Sequence, residues 1–125
     1  MVLGPWRWLR WGMKSFAQAL DLKDDPALIE AYVAHHRRVY PEVIAALRAI
    51  GITKMKIFLL GTRLFMYFEA PEGFDPSRDY QSYAKDPRCR AWDELMRAFQ
   101  RRAPGAKEGE WWASMVEIFD LEGAG

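Results

Sequence analysis

Thr53-Lys-Met-Lys-Ile-Phe-Leu-Leu60-Gly61-Thr62-Arg63-Leu-Phe-Met-Tyr-Phe-Glu-Ala70 reads as a β-hairpin. Two runs rich in aliphatic and aromatic residues, 53–60 and 63–70, are separated by Gly61-Thr62. A Gly-X pair suits the two-residue hairpin turn whose first central position needs positive φ. Ile57, Phe58, Leu59 and Leu60, then Leu64, Phe65, Met66, Tyr67 and Phe68, run apolar without alternation. That continuity predicts cover on both faces, by helices on one side and a partner subunit on the other.

Upstream, residues 15–22 read as a short buried strand. Asp24-Asp25-Pro26 is a helix start, with Asp at the N-cap and Pro at the first helical position. The helix is expected to reach about Val39. Pro41 lacks an N–H and disfavours helical geometry at Tyr40, so a kink or restart follows there. The second segment places Val43, Leu47 and Ile50 on one side and stops at Gly51. Downstream, 71–77 reads as loop and about 78–85 as a short helix. Asp86-Pro87 repeats the cap-plus-proline signal and opens the last long helix, with Cys89, Trp92, Leu95, Met96 and Phe99 at helical spacing. Residues 104–109 are loop, and 111–121 are expected to form the final strand. The order β-α-β-β-α-β is that of the split βαβ, an α+β ferredoxin-like plait. Its antiparallel sheet carries helices on one face, and the open apolar face predicts a homodimer.

The chain has 125 residues, which bounds it to one domain with a sizeable core. Eighteen basic and 17 acidic side chains leave a net charge of +1, which argues against nucleic acid or an acidic membrane as the main partner. Cys89 is the single cysteine, so a reducing cytoplasm is expected. Trp6, Trp8 and Trp11 interleave with Arg7 and Arg10 at the start. Those charges break up any signal-peptide core, and no run approaches the roughly 20 apolar residues of a membrane span. Residues 1–12 are expected to be a poorly ordered extension or a start-site artefact, with Met13 as an alternative start and 13–125 as the domain.

The chemistry-bearing residues narrow by elimination. His35 and His36 are the two histidines, and neighbours in a helix diverge by roughly 100°, which suits no shared metal. Ser15, Ser77, Ser82 and Ser114 lack a nucleophile-elbow context, and no glycine-rich phosphate loop is present. Cys89 falls on an apolar stripe, where an inert thiol is expected. General acid–base chemistry remains. Tyr32 and His36 stand four residues apart, hence on one helical face roughly 5–6 Å apart at Cβ. Imidazole can give or take a proton at neutral pH. The competing readings are an ordinary surface histidine and ordinary core aromatics at Tyr32, Trp92 and Trp112.

With these residues in hand, the chain resembles the L-rhamnose mutarotase family from Lys14 to Leu121. The carrying pieces are Tyr32-x-x-x-His36-x-x-x-Tyr40-Pro41-Glu42, Gly51-Ile52, Leu64-Phe65 with Glu69, Cys89-x-x-Trp92 with Met96, and Glu117-x-Phe119-x-Leu121. The resemblance implies a small dimeric ferredoxin-like enzyme that interconverts the α and β anomers of a free monosaccharide without a cofactor. It implies a proton donor at His36 and a sugar-contacting residue at Tyr32. A sugar-contacting tyrosine of the family is replaced here by Met55. A pocket Trp-Trp pair becomes Trp92-Asp93, and the Trp before Pro-Glu becomes Tyr40. Trp92 is then expected to stack on sugar, and Asp93 to accept its hydroxyls. The catalytic half of the pattern is thus kept and the specificity half altered, leaving L-rhamnose, L-fucose or a related 6-deoxy sugar as substrate. The alternatives are a haem-handling or cofactor-independent oxygenase of the same plait, and a non-catalytic sugar-binding or interaction module.

Overall fold

The computed structural model describes residues 12–123. The tryptophan-rich start therefore lies outside the described residues, save for Gly12, whose carbonyl accepts from Glu72 N–H at 2.8 Å. Strand β1, Met13–Leu22, runs through the middle of the sheet. It pairs antiparallel with β3, Arg63–Pro71, from Met13↔Pro71 to Asp21↔Arg63. Strand β2, Lys54–Leu60, pairs with β3 through the expected hairpin. Gly61 takes φ +61 at the turn, where an added Cβ would meet nothing, so the glycine answers to backbone conformation and not to space. The remaining edge of β1 receives β4, Gln100–Arg101, and β5, Ala113–Ser114. The order β2-β3-β1-β4 is that of the ferredoxin-like plait.

Among the described residues, four helices attach to this sheet. Helix α1, Pro26–His35, starts at Asp25, whose carboxylate accepts from the N–H groups of Ala27 and Leu28. It ends four residues short of the expected Val39. Tyr40 is held at φ −55 and ψ 131 ahead of Pro41, so the chain leaves the helix at His36 and restarts as α2, Pro41–Ala49. That helix closes on a Schellman turn: Ile52 N–H reaches Leu47 O at 3.1 Å and Gly51 N–H reaches Arg48 O at 3.0 Å. Gly51 stands at φ +108, and a Cβ there would press Pro71 at 3.1 Å. Helix α3, Pro76–Tyr83, begins two residues before the expected 78, because Asp75-Pro76 is a third copy of the cap-plus-proline signal; Asp75 accepts from Ser77 N–H. Helix α4, Pro87–Arg97, buries Cys89, Trp92 and Met96.

The strands alternate more than their composition suggested. Leu64, Met66, Phe68 and Ala70 are buried under the helices, while Phe65 and Tyr67 look outward and are only half-buried. Phe58 stacks on Phe65 across the open face, with centroids 6.0 Å apart. The final strand is the main correction. Only Ala113–Ser114 pair, and Met115 adds one bond to Ala17 O at 2.9 Å. Residues 116–121 form no strand. Val116, Ile118, Phe119 and Leu121 are apolar at both parities, so a strand there needs cover on both sides, and one chain supplies neither; Ile118 is 95% exposed.

Candidate active site

The break after α1 builds the site. Because the helix stops at His35, His36 closes its end, and its Nδ1 lies 2.8 Å from the carbonyl oxygen of Tyr32, one turn back. A carbonyl only accepts, so Nδ1 carries the proton and Nε2 keeps the lone pair. Burial pushes the imidazole below its ordinary 6.5 against the raising effect of that hydrogen bond, with His35 nearby adding to the fall. At neutral pH His36 is therefore a neutral base. The Tyr32 and His36 rings lie 4.5 Å apart, so the two groups predicted to share a face do share one.

Trp92, from α4, is buried and meets His36 edge-on at 5.4 Å and Tyr40 at 5.0 Å. Its ring buttresses the imidazole as well as walling the cavity. His35 turns away from His36 and packs on Phe99 at 5.4 Å. Cys89 is fully buried, with burial pushing its thiol up, and its Sγ–H faces the Glu42 carbonyl at 3.6 Å.

An open cavity of about 1360 Å³ lies between helices and sheet, lined by Tyr32, His36, Met55, Trp92 and Asp93 among others. The structure thus brings all five sequence-predicted residues to one cavity, though not to one spot. Met55 lies along the sheet wall beside Met66 and Phe68, in a different cluster from Tyr32 and Trp92. Asp93 accepts from Tyr83 O–H at 2.9 Å, and burial raises its carboxyl above the ordinary carboxylate range. Burial and the Asp93 charge together hold the Tyr80 and Tyr83 phenols far above theirs.

Three residues here escaped sequence reading: Tyr83, Gln100 and Trp111. Gln100 Nε2 donates to Tyr32 Oη at 3.0 Å, and Trp111 Nε1 donates to Gln100 Oε1 at 2.7 Å. Gln100 and Tyr32 are separated by 68 positions in the chain, so no local spacing signals the pair. Its one sequence clue is a polar residue at the start of a buried edge segment.

Residues 15–121 match the family model for L-rhamnose mutarotase. The chain belongs to the L-rhamnose mutarotase family. It is an isomerase acting on carbohydrates, a mutarotase. A UPF0734 protein of Dictyostelium discoideum is 52% identical over 113 residues, spanning 87% of this chain and 90% of that one. An L-fucose mutarotase of Xanthomonas campestris is 42% identical over 114 residues, 90% of this chain and 91% of the relative. Among solved structures, an L-rhamnose mutarotase from Formosa agariphila superposes with TM-score 0.65 at 17% identity, over 86% of this chain and 98% of the other. Tetracenomycin F2 cyclase of Streptomyces glaucescens shares the fold as well, with TM-score 0.57 at 19% identity over 86% and 96% of the two chains. No helix among the described residues is long and apolar enough to cross a membrane.

Proposed function

We propose that this protein interconverts the α and β anomers of a free 6-deoxyhexose, with L-fucose ahead of L-rhamnose, by acid–base ring opening at His36. The observation that carries the mechanism is the fixed tautomer of His36, a neutral imidazole with its lone pair on Nε2, set beside Tyr32 in the cavity. Nε2 takes the proton of the anomeric hydroxyl. The O–H electron pair becomes the aldehyde C=O, the bond from C1 to the ring oxygen breaks, and the ring oxygen takes a proton from a second group. Rotation about C1–C2 and the reverse steps close the ring from the other face, with His36 now donating. The histidine is thus base in opening and acid in closing, which includes the donor part implied by the family pattern.

Asp93, one oxygen of which is held by Tyr83, offers the other to a sugar hydroxyl. Trp92 and Met55 supply apolar walls. A carboxylate in place of the family's second pocket tryptophan and the 42% identical relative named for L-fucose are what support putting that sugar first. The same reading includes a homodimer through the open sheet face of Phe58, Phe65 and Tyr67, and a cytoplasmic setting in which Cys89 stays reduced.

Saturation transfer between the anomeric protons of equilibrated L-fucose and L-rhamnose, with and without protein, tests the proposal. Exchange is expected to rise above the uncatalysed rate with wild type and to fall back toward it with His36→Ala. Unchanged exchange for both sugars with wild-type protein would overturn it.

A further inference from the structure

We infer that Gln100 and Trp111 are positioning residues that set the direction of the Tyr32 hydroxyl and so make Tyr32 the acid that protonates the ring oxygen. This assignment rests on the anomer-exchange reading above and supplies its second proton carrier. The argument needs only hydrogen-bond polarity. An indole N–H donates and never accepts, so the oxygen of the Gln100 amide must face Trp111, at 2.7 Å. The amide nitrogen must then face Tyr32, at 3.0 Å, and it donates. The phenol oxygen is already an acceptor, and its own proton has to leave in another direction. Among the described residues Gln100 is the one hydrogen-bond partner of that hydroxyl. Tyr32 and Gln100 both line the cavity, so the free O–H is aimed at a ligand there.

The surroundings hold the relay in place. Gln100 opens β4 opposite Leu22 and is 6% exposed. Trp111 ends a loop pinned by Arg102, whose guanidinium donates to the carbonyls of Lys107 at 2.6 Å and Glu110 at 3.1 Å. Burial raises the Tyr32 phenol, which keeps it protonated and able to donate. His36, with its lone pair on Nε2, and Tyr32, with its proton aimed outward, then form an ordered base–acid pair 4.5 Å apart between ring centres. A mutarotase needs that pair, because two bases or two acids would leave one oxygen of the hemiacetal unserved.

Gln100→Glu tests the direction of the relay. An ionised carboxylate accepts from both sides, so the Tyr32 proton turns away from the cavity toward the new side chain. Exchange of L-fucose or L-rhamnose, whichever the wild type accelerates, should lose about 100-fold in kcat with KM nearly unchanged, on the scale of a missing general acid. Tyr32→Phe should add little in that background. His36 charges in acid in both proteins, so the readout is the ratio to wild type at the same pH: the deficit of Gln100→Glu should shrink as pH falls, because a protonated carboxyl again donates to Tyr32. Gln100→Leu removes the donor without capturing the proton, and a severalfold loss is expected. Equal losses in Gln100→Glu and Gln100→Leu, with a deficit against wild type that stays constant as pH falls, would overturn the inference. Should Gln100→Glu fail to fold by near-ultraviolet circular dichroism, Trp111→Phe decides. It frees the amide to rotate, so kcat is expected to fall severalfold at constant KM, and an unchanged kcat overturns the relay. A wild type that accelerates neither sugar would sink the anomer-exchange reading itself, which is a different result.

Discussion

Two aromatic clusters lie against the same face of one sheet, and they differ in what their rings carry. At one end Phe16, Phe68 and Phe74 pack together, stacked at 4.8 Å and edge-on at 5.5 and 5.8 Å. None has a polar atom on its side chain, so the cluster is held by burial and ring geometry alone. At the other end Tyr32, His36, Trp92 and Trp111 bring a hydroxyl, an imidazole and two indoles, and three of the four make a directed hydrogen bond. Similar burial therefore serves two ends. The phenylalanine end holds the strands together, and the tyrosine–histidine end uses the same dry surroundings to fix which atom carries which proton.

Breaking each end should separate stability from rate. Phe68 is fully buried, and Phe68→Ala should cost about 3–5 kcal/mol, read as a lower midpoint in urea unfolding. What folded protein remains should keep its rate. His36→Ala is the converse: a rate loss of about 100-fold or more with little change in the unfolding midpoint. Acid instead couples the two at the second end, because one group carries both effects. The folded pKa of His36 lies below its unfolded 6.5, so the folded state binds fewer protons between those values. The stability it contributes is complete above pH 6.5 and is lost as pH falls from there through the folded value. The exchange rate should drop over the same window, with an inflection below 6.5 for wild type. In His36→Phe the stability slope should flatten.

The strands that carry Phe16 and Phe68 were legible before the fold was known, but the packing of loop residue Phe74 against them was not, and only half of the second cluster could be read. The hairpin turn and the Asp-Pro helix starts are local signals, and each fell where local chemistry put it; the apolar runs marked the strands but not their alternation. Asp75-Pro76 carried the same signal and marks where α3 begins. The Tyr32–His36 pair is local too, one turn of one helix. Gln100, Trp111 and Tyr83 join the site only because β4 returns to β1 and α3 and α4 both pack on α2, with Tyr83 donating to Asp93, and sequence spacing does not encode such returns. Residues 111–121 misread for a different reason. Their β-rich composition is real, but beyond Ala113–Ser114 and the Met115 bond to Ala17 no strand of the described residues lies beside them to pair with.

Asp93 stands between the two ends, linked through Tyr83 to Tyr80 and on to Phe74. Its raised carboxyl works against the fold at neutral pH: stability present at low pH is lost as pH rises through the folded value. Asp93→Asn keeps an acceptor for Tyr83 and removes the charge. It should raise the unfolding midpoint slightly at pH 7 while raising KM about tenfold, the scale of one charged hydrogen bond to a sugar hydroxyl. A mutant with wild-type KM would move Asp93 from the substrate to the scaffold.

The smallest effect on the single chain belongs to the face that neither cluster occupies. Phe58 is 53% exposed and touches Phe65 on the open side of the sheet, so Phe58→Lys should change monomer stability by no more than about 0.5 kcal/mol. Nothing in the two helix-side clusters should respond to it. The change nevertheless puts a charge on the face argued to meet a second copy, and in a dimer that charge is desolvated without a partner. Sedimentation should then show a dimer for wild type and a shift toward monomer for Phe58→Lys at equal concentration. If both sediment alike as dimers, the sheet face is not the interface, and the exposed apolar residues 116–121 become the segment to test next. If wild type is itself a monomer, those residues need another cover, and the open face is surplus to the catalytic unit.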